Sequence, residues 1–124
     1  MAKITGIGGV FIKTDVEATR AWLDQNLGLE TQAWGTYFQW REHDDPQREG
    51  GTVLGLHGRD STYFGPSTRE VMLNFRVDDL DGMLARLKER GVEIVKVLPP
   101  DENGRFAHVR GPDGLVLELW QPPG

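Results

Sequence analysis

The chain says much the same thing twice, and that repetition limits what it can fold into. "VFIKTDVEATRAWLDQNLGLE" (Val10 to Glu30) lies over "LNFRVDDLDGMLARLKERGVE" (Leu73 to Glu93). Both read as a strand, an aspartate, a helical stripe, a glycine, an apolar residue and a glutamate. Asp15 to Gly28 spans the same distance as Asp78 to Gly91. An aspartate ahead of a helical stripe caps the first free N–H groups, and a glycine behind it allows the left-handed turn that ends a helix. Leu80, Met83, Leu84 and Leu87 form one apolar stripe, and Trp22, Leu23 and Leu27 form its counterpart. The register continues into "TVLGLHG" (Thr52 to Gly58) over "LVLELWQ" (Leu115 to Gln121), each preceded by another strand-like run, "TYFQWRE" or "RFAHVRG". "HDDPQREGG" and "GPDG" supply turns. The chain therefore reads as an α+β protein of two tandem βαβββ modules, 1–58 and 71–124. The stretch "RDSTYFGPSTRE" (59–70) has linker composition, and at 124 residues the whole makes one structural domain.

Strand alternation sorts the side chains onto two faces. Val10, Ile12, Phe38, Trp40, Leu54, Leu56, Leu73, Phe75, Val77, Ala107, Val109, Leu117 and Leu119 form the set that packs on helices. The opposite face carries Phe11, Lys13, Tyr37, Gln39, Arg41, Gly55, His57, Met72, Asn74, Arg76, Phe106, His108, Glu118 and Trp120. That mixture of aromatic, polar and charged groups suits the lining of a ligand pocket better than a dry core. Glu118 is the group on it that most needs an explanation, because a carboxylate between Leu117 and Leu119 is costly unless something answers it.

Other classes of function find no support in the residues. Net charge is −5 with both signs interspersed, so there is no basic stripe for nucleic acid. The absence of cysteine removes disulfides, thiolate nucleophiles and Cys-ligated zinc, and fits a reducing compartment. No apolar run approaches the length that spans a bilayer, and "MAKITGIGG" has no signal-peptide core, so the expected setting is cytoplasmic, away from membranes. "GIGG" at Gly6 to Gly9 precedes a strand and opens no helix, so it is not a dinucleotide fingerprint.

Together, "VDDLDGMLARLKERGVEI" and "GRFAHVRGPDGLVLELWQP" resemble the vicinal oxygen chelate superfamily, which holds glyoxalase I, extradiol dioxygenases and bleomycin- and fosfomycin-resistance proteins. The resemblance implies a curled mixed sheet around a cup-shaped cavity, and a homodimer. It also implies one divalent metal held by side chains from the first and last strands of each module. Those positions fall here on Gly9, Gly55, Met72 and Glu118. Glycine has no ligand to offer, and a thioether suits copper(I) better than the Ni, Zn, Fe or Mn of the family. The expectation is therefore no metal and no other cofactor. His57 and His108 with Glu118 are the residues from which a displaced metal site could be rebuilt.

Glu118 then has two readings. It is a general base or ligand anchor, with His57 as a second catalytic candidate, or it pairs with a cation of its own face: Lys13, Arg41, Arg76 or Arg110. Phe11, Tyr37, Asn74, Phe106, His108 and Trp120 are candidate ligand contacts, the aromatics by stacking. Tyr63 and Phe64 in the linker are candidates for a lid. Three functional classes follow. The first is a metal-independent binder of a small, partly aromatic or cationic organic molecule. The second is a lyase or isomerase using Glu118, metal-free or through the rebuilt site. The third is a degenerate fold serving as a partner-binding subunit.

Overall fold

The computed structural model describes all residues from 1 to 124. Its elements run β1 (Ile4–Lys13), α1 (Val16–Leu27), β2 (Gly35–Arg41), β3 (Glu49–His57), β4 (Val71–Val77), α2 (Leu80–Glu89), β5 (Ile94–Val97), β6 (Arg105–Arg110) and β7 (Val116–Gln121). The seven strands form one open mixed sheet in the order β2-β3-β1-β4-β7-β6-β5. The two halves meet where β1 pairs antiparallel with β4. Each of these first strands also runs parallel to the last strand of its own half, β1 with β3 and β4 with β7.

The register records the duplication. Phe11 pairs with Gly55 in the first half, and Asn74 pairs with Glu118 in the second. Across the seam Gly9 faces Asn74 and Phe11 faces Met72. The four positions that hold metal in the resembling family are thus gathered on the central strands, two from each half.

The halves are not equal. Between α1 and β2 the chain forms only an isolated bridge, Gln32 with Gly35, so the first half has three strands where the repeat implied four. Few residues separate the αL cap at Gly28 from β2, and Glu30 also takes a positive φ of 55°, so the segment turns where it would have to run extended. The helix caps follow the aspartates with one shift. Asp15 caps α1, but Asp79 caps α2, because Asp78 instead accepts a hydrogen bond from the Lys3 backbone at 2.8 Å.

α2 buries Leu80, Met83 and Leu84 against Val77, Ala107, Val109 and Leu119, the main apolar core. α1 buries no residue, and Trp22 and Leu27 of its expected stripe stay 57% and 60% exposed. Polar groups hold this helix to the following turn instead. Arg20 donates to the Thr31 carbonyl at 2.9 Å, and Asp24 accepts from the Thr31 N–H at 2.8 Å. Phe38 and Leu73, assigned to the helix-covered face, remain exposed accordingly. Trp40, from the same set, packs on Gly6 and Gly50 beside Arg76, with its indole N–H on Thr52 at 2.8 Å. No helix is long and apolar enough to cross a membrane.

Candidate functional site

Glu118 sits in the middle of β7, 1% exposed, and three side chains answer its carboxylate. Asn74, its partner in register on β4, donates from Nδ2 to Oε1 at 2.6 Å. His108, opposite on β6, approaches Oε2 through Nε2 at 2.7 Å. The Tyr63 hydroxyl donates to the same Oε2. Asn74 and His108 are buried to the same degree as Glu118, so strand pairing alone assembles a polar group shut off from water. The cations proposed from sequence lie elsewhere. Arg41 pairs with Glu49 and Arg110 with Glu93, Arg76 reaches the Gly51 carbonyl, and Lys13 lies 5.2 Å from the Phe64 ring. Asn74, His108 and Tyr63 answer the carboxylate in their place.

Tyr63 is the member that does not come from the sheet. It belongs to the segment between β3 and β4, which crosses over Glu118. Its ring stacks on His57 with centroids 5.3 Å apart and planes tilted by 19°, and stands edge-on to His108 at 4.9 Å. The Lys96 ammonium lies 5.3 Å above it. Burial, reinforced by the Glu118 charge and hydrogen bond, pushes the Tyr63 hydroxyl well above its ordinary 10.0, so it remains a donor at neutral pH. Burial also lowers His57 below the usual 6.5, against a smaller opposing pull from Glu118, which leaves its imidazole neutral under the same conditions. Next along the chain, Phe64 is fully buried with Phe11, Met72 and Val116.

The other sequence candidates divide. Phe11 belongs to the wall of the site, tilted 5.5 Å from His57. Trp120 stacks on Phe106 at 5.7 Å and donates its N–H to the Asn103 carbonyl at 2.7 Å. With Arg76 4.7 Å from the Trp120 ring, these two aromatics are already occupied by one another and by a cation. Tyr37 stays apart: 41% exposed, it lies over Gly51 on the β2–β3 side. Tyr63 was foreseen as a lid but not as a partner of Glu118. Its signal was an aromatic doublet, Tyr63–Phe64, placed in a linker whose other residues are polar, glycine or proline.

The family ligand positions do not suit a divalent ion. The Phe11 ring lies over both glycines, and a Cβ built at Gly9 or Gly55 would stand 2.6 Å from its carbons. Met72 is packed in the apolar cluster with Phe11 and Phe64. Glu118 alone offers a hard donor, and both its oxygens are engaged. His57, His108 and Glu118 do not converge either, because the Tyr63 ring stands against both imidazoles. No point in the molecule gathers three His, Cys, Asp or Glu side chains in metal-binding geometry.

A family model described as the Glyoxalase/Bleomycin resistance protein/Dioxygenase superfamily matches residues 10–119. The chain belongs to this superfamily. Among solved structures it is similar to methylmalonyl-CoA epimerase from Mycobacterium tuberculosis, with a TM-score of 0.60 and 22% identity over 98% of this chain and 90% of that one. It is also similar to a catechol 2,3-dioxygenase (TM-score 0.57, 20% identity, 99% of this chain and 41% of that one). A third similar structure is the Mn(II)-bound glyoxalase from Novosphingobium aromaticivorans (TM-score 0.55, 18% identity, 98% and 40%). No curated protein matches the chain. At these identities the likeness establishes the superfamily fold, which carries many chemistries, and leaves the activity to be argued from the site.

Proposed function

We propose that this superfamily member binds a small organic molecule on the cavity face of its second half, without a metal, and that Glu118 is the anchor. One observation carries the reading: the Glu118 carboxylate is fully buried yet held by Asn74, His108 and Tyr63, with no arginine or lysine on it. A carboxylate taken out of water and given a ready set of partners is preorganised to accept hydrogen bonds, which is how apolar pockets fix a ligand's orientation. The metal-free part of the proposal is supported by the glycines under Phe11 and by the apolar setting of Met72. A general base is the second reading: with Asn74, His108 and Tyr63 in place, the carboxylate takes a ligand donor or a substrate proton only where one of these partners withdraws.

Two measurements test this. Protein dialysed against Mn(II), Ni(II), Zn(II) or Fe(II) and freed of excess should retain well below one ion per chain; near-stoichiometric uptake lost in Glu118→Ala would overturn the metal-free reading. A panel of small aromatic and cationic molecules should then be screened by tryptophan fluorescence and NMR. Saturable binding is expected, weakened in Glu118→Gln. That variant should fold, because an Asn74 amide flip would turn Oδ1 toward the new NH2 group. Turnover of a bound molecule, abolished by the same substitution, would favour the enzyme.

A further inference from the structure

The Glu118 site is built as a socket with a plug. Its walls lie on strands: Glu118 on β7, His108 on β6, Asn74 on β4, His57 at the end of β3 and Lys96 on β5. The one aromatic group inside them, Tyr63, comes from a segment with neither helix nor strand. Around Tyr63 its backbone hydrogen bonds are short-range turns, Ser61 N–H to Gly58, Gly65 N–H to Thr62 and Ser67 N–H to Phe64, while its far end is tied down by the Lys13 N–H on the Glu70 carbonyl and by Arg69 on Asp113. Tyr63 is also only half-buried, whereas Glu118, His108 and Asn74 behind it are closed off. The buried part of the phenol is matched by the wall. Its hydroxyl meets Glu118, one face meets His57, and the edge of His108 and the ammonium of Lys96 complete the surround. Phe64 is fully buried beside Phe11, Met72 and Val116, a cluster whose outer side Tyr63 covers, so Phe64 is the residue that keeps the linker moored when the phenol swings out.

We infer that Tyr63 is an internal stand-in for the ligand: the site takes a flat, neutral aromatic molecule bearing a hydroxyl group, which displaces the Tyr63 phenol from Glu118. This rests on the reading of Glu118 as a ligand anchor and gives that ligand a chemical class. The surroundings select the class. Lys96 lies over the phenol and Lys13 over the neighbouring Phe64 ring, 5.3 and 5.2 Å from the respective centroids, so a cationic ligand would meet two ammonium groups beside the ring position, which disfavours it. A plain hydrocarbon ring would leave the buried Oε2 short of the donor that Tyr63 supplies. A hydroxylated ring restores that donor and inherits the His57 stack. The linker is then a self-inhibiting plug, and apparent affinity is lowered by the fraction of molecules that hold it shut.

The test compares p-cresol, which is the tyrosine side chain alone, with toluene and 4-methylbenzylamine, using calorimetry on the whole protein and hydrogen exchange across residues 59–70. The wild type should bind p-cresol saturably and release protection in the linker, with the other two at least tenfold weaker. Tyr63→Phe keeps a ring but loses the hydroxyl that competes for Glu118. It should bind p-cresol about tenfold tighter, the scale of one hydrogen bond to a charged group. The amine binding as well as p-cresol, or toluene doing so, would overturn the hydroxylated class. Binding of p-cresol with linker protection and Tyr63→Phe affinity unchanged would overturn displacement. Failure of all three probes while another molecule binds through Glu118 would sink this inference and leave the anchor reading intact; failure of every molecule in the wider screen would sink both.

Discussion

Replacing Asn74 by leucine should destabilise the protein by about 1–2 kcal/mol, and a second, damaging-looking substitution should restore part of the loss. Asn74 is 1% exposed and its Nδ2 donates to Glu118 Oε1 at 2.6 Å. Leucine has nearly the same shape, so packing changes little and the cost is electrostatic. Leaving a buried charged acceptor short of one donor costs about 2–3 kcal/mol, even with His108 and Tyr63 still on its other oxygen. Against this, Asn74 Oδ1 is itself buried without a partner, and its removal returns about 1 kcal/mol. The net of about 1–2 kcal/mol corresponds to a fall in Tm of roughly 5 °C for a chain of this size. Glu118→Gln added to Asn74→Leu removes the stranded charge, while its carbonyl still accepts from His108 and Tyr63. The double variant should therefore be more stable than Asn74→Leu alone by about 1 kcal/mol or more. Urea unfolding of the wild type, both singles and the double supplies the cycle, with equal m-values as the check on two-state behaviour. A cost below about 0.5 kcal/mol for Asn74→Leu, or a double variant less stable than that single one, would refute the account of Glu118 as a buried charge held by this amide.

Three further outcomes follow from the plug. Phe64→Ala should cost about 3–5 kcal/mol, since a fully buried ring leaves a cavity between Phe11, Met72 and Val116; urea unfolding checks it. His57 is held below 6.5 in the fold by burial, so the unfolded chain takes its proton first as pH falls. Its contribution is complete above about 6.5 and is lost as pH drops through the lower folded value; the urea midpoint of the wild type should decline more steeply from pH 8 to pH 5 than that of His57→Phe, which keeps the stack without the titration. Tyr63 is shifted the other way, upward from 10.0 by burial and Glu118, so the stability it carries is intact below about 10 and lost as pH rises above it. Ultraviolet titration should show a late tyrosinate step that accompanies loss of structure and is missing in Tyr63→Phe.

Much of this was readable from the residues because the signals were periodic. Alternation placed Phe11, Met72, Asn74, His108, Glu118 and Trp120 on one face, and all are buried there together. The duplicated stripes placed both helices, and the aspartate-to-glycine spacing marked their ends to within a residue. What escaped had no period to read. Tyr63 meets Glu118 across 55 residues, from a linker whose composition says only that it is a loop. The cations proposed for Glu118 share its face by parity, but parity fixes a side and not a position along it, and acidic groups nearer to Arg41 and Arg110 take both arginines. α1 has a helical pattern as legible as that of α2, yet stays uncovered, because a stripe says which side of a helix is apolar and nothing about whether a sheet lies beneath it.

The Phe11 ring over Gly9 and Gly55 also bears on how such a site can change over generations. A histidine or glutamate arriving at either glycine would meet that ring 2.6 Å from its first side-chain carbon, and the ring has little room to retreat, being itself buried with Met72 and Phe64. Each ligand restored alone would be harmful before it could be useful. Phe11 would have to shrink first, at the cost of a hole beside Phe64 and with no function yet gained. The order of substitutions is therefore constrained: a side chain at Gly9 or Gly55 has to wait until the Phe11 ring has made room for it.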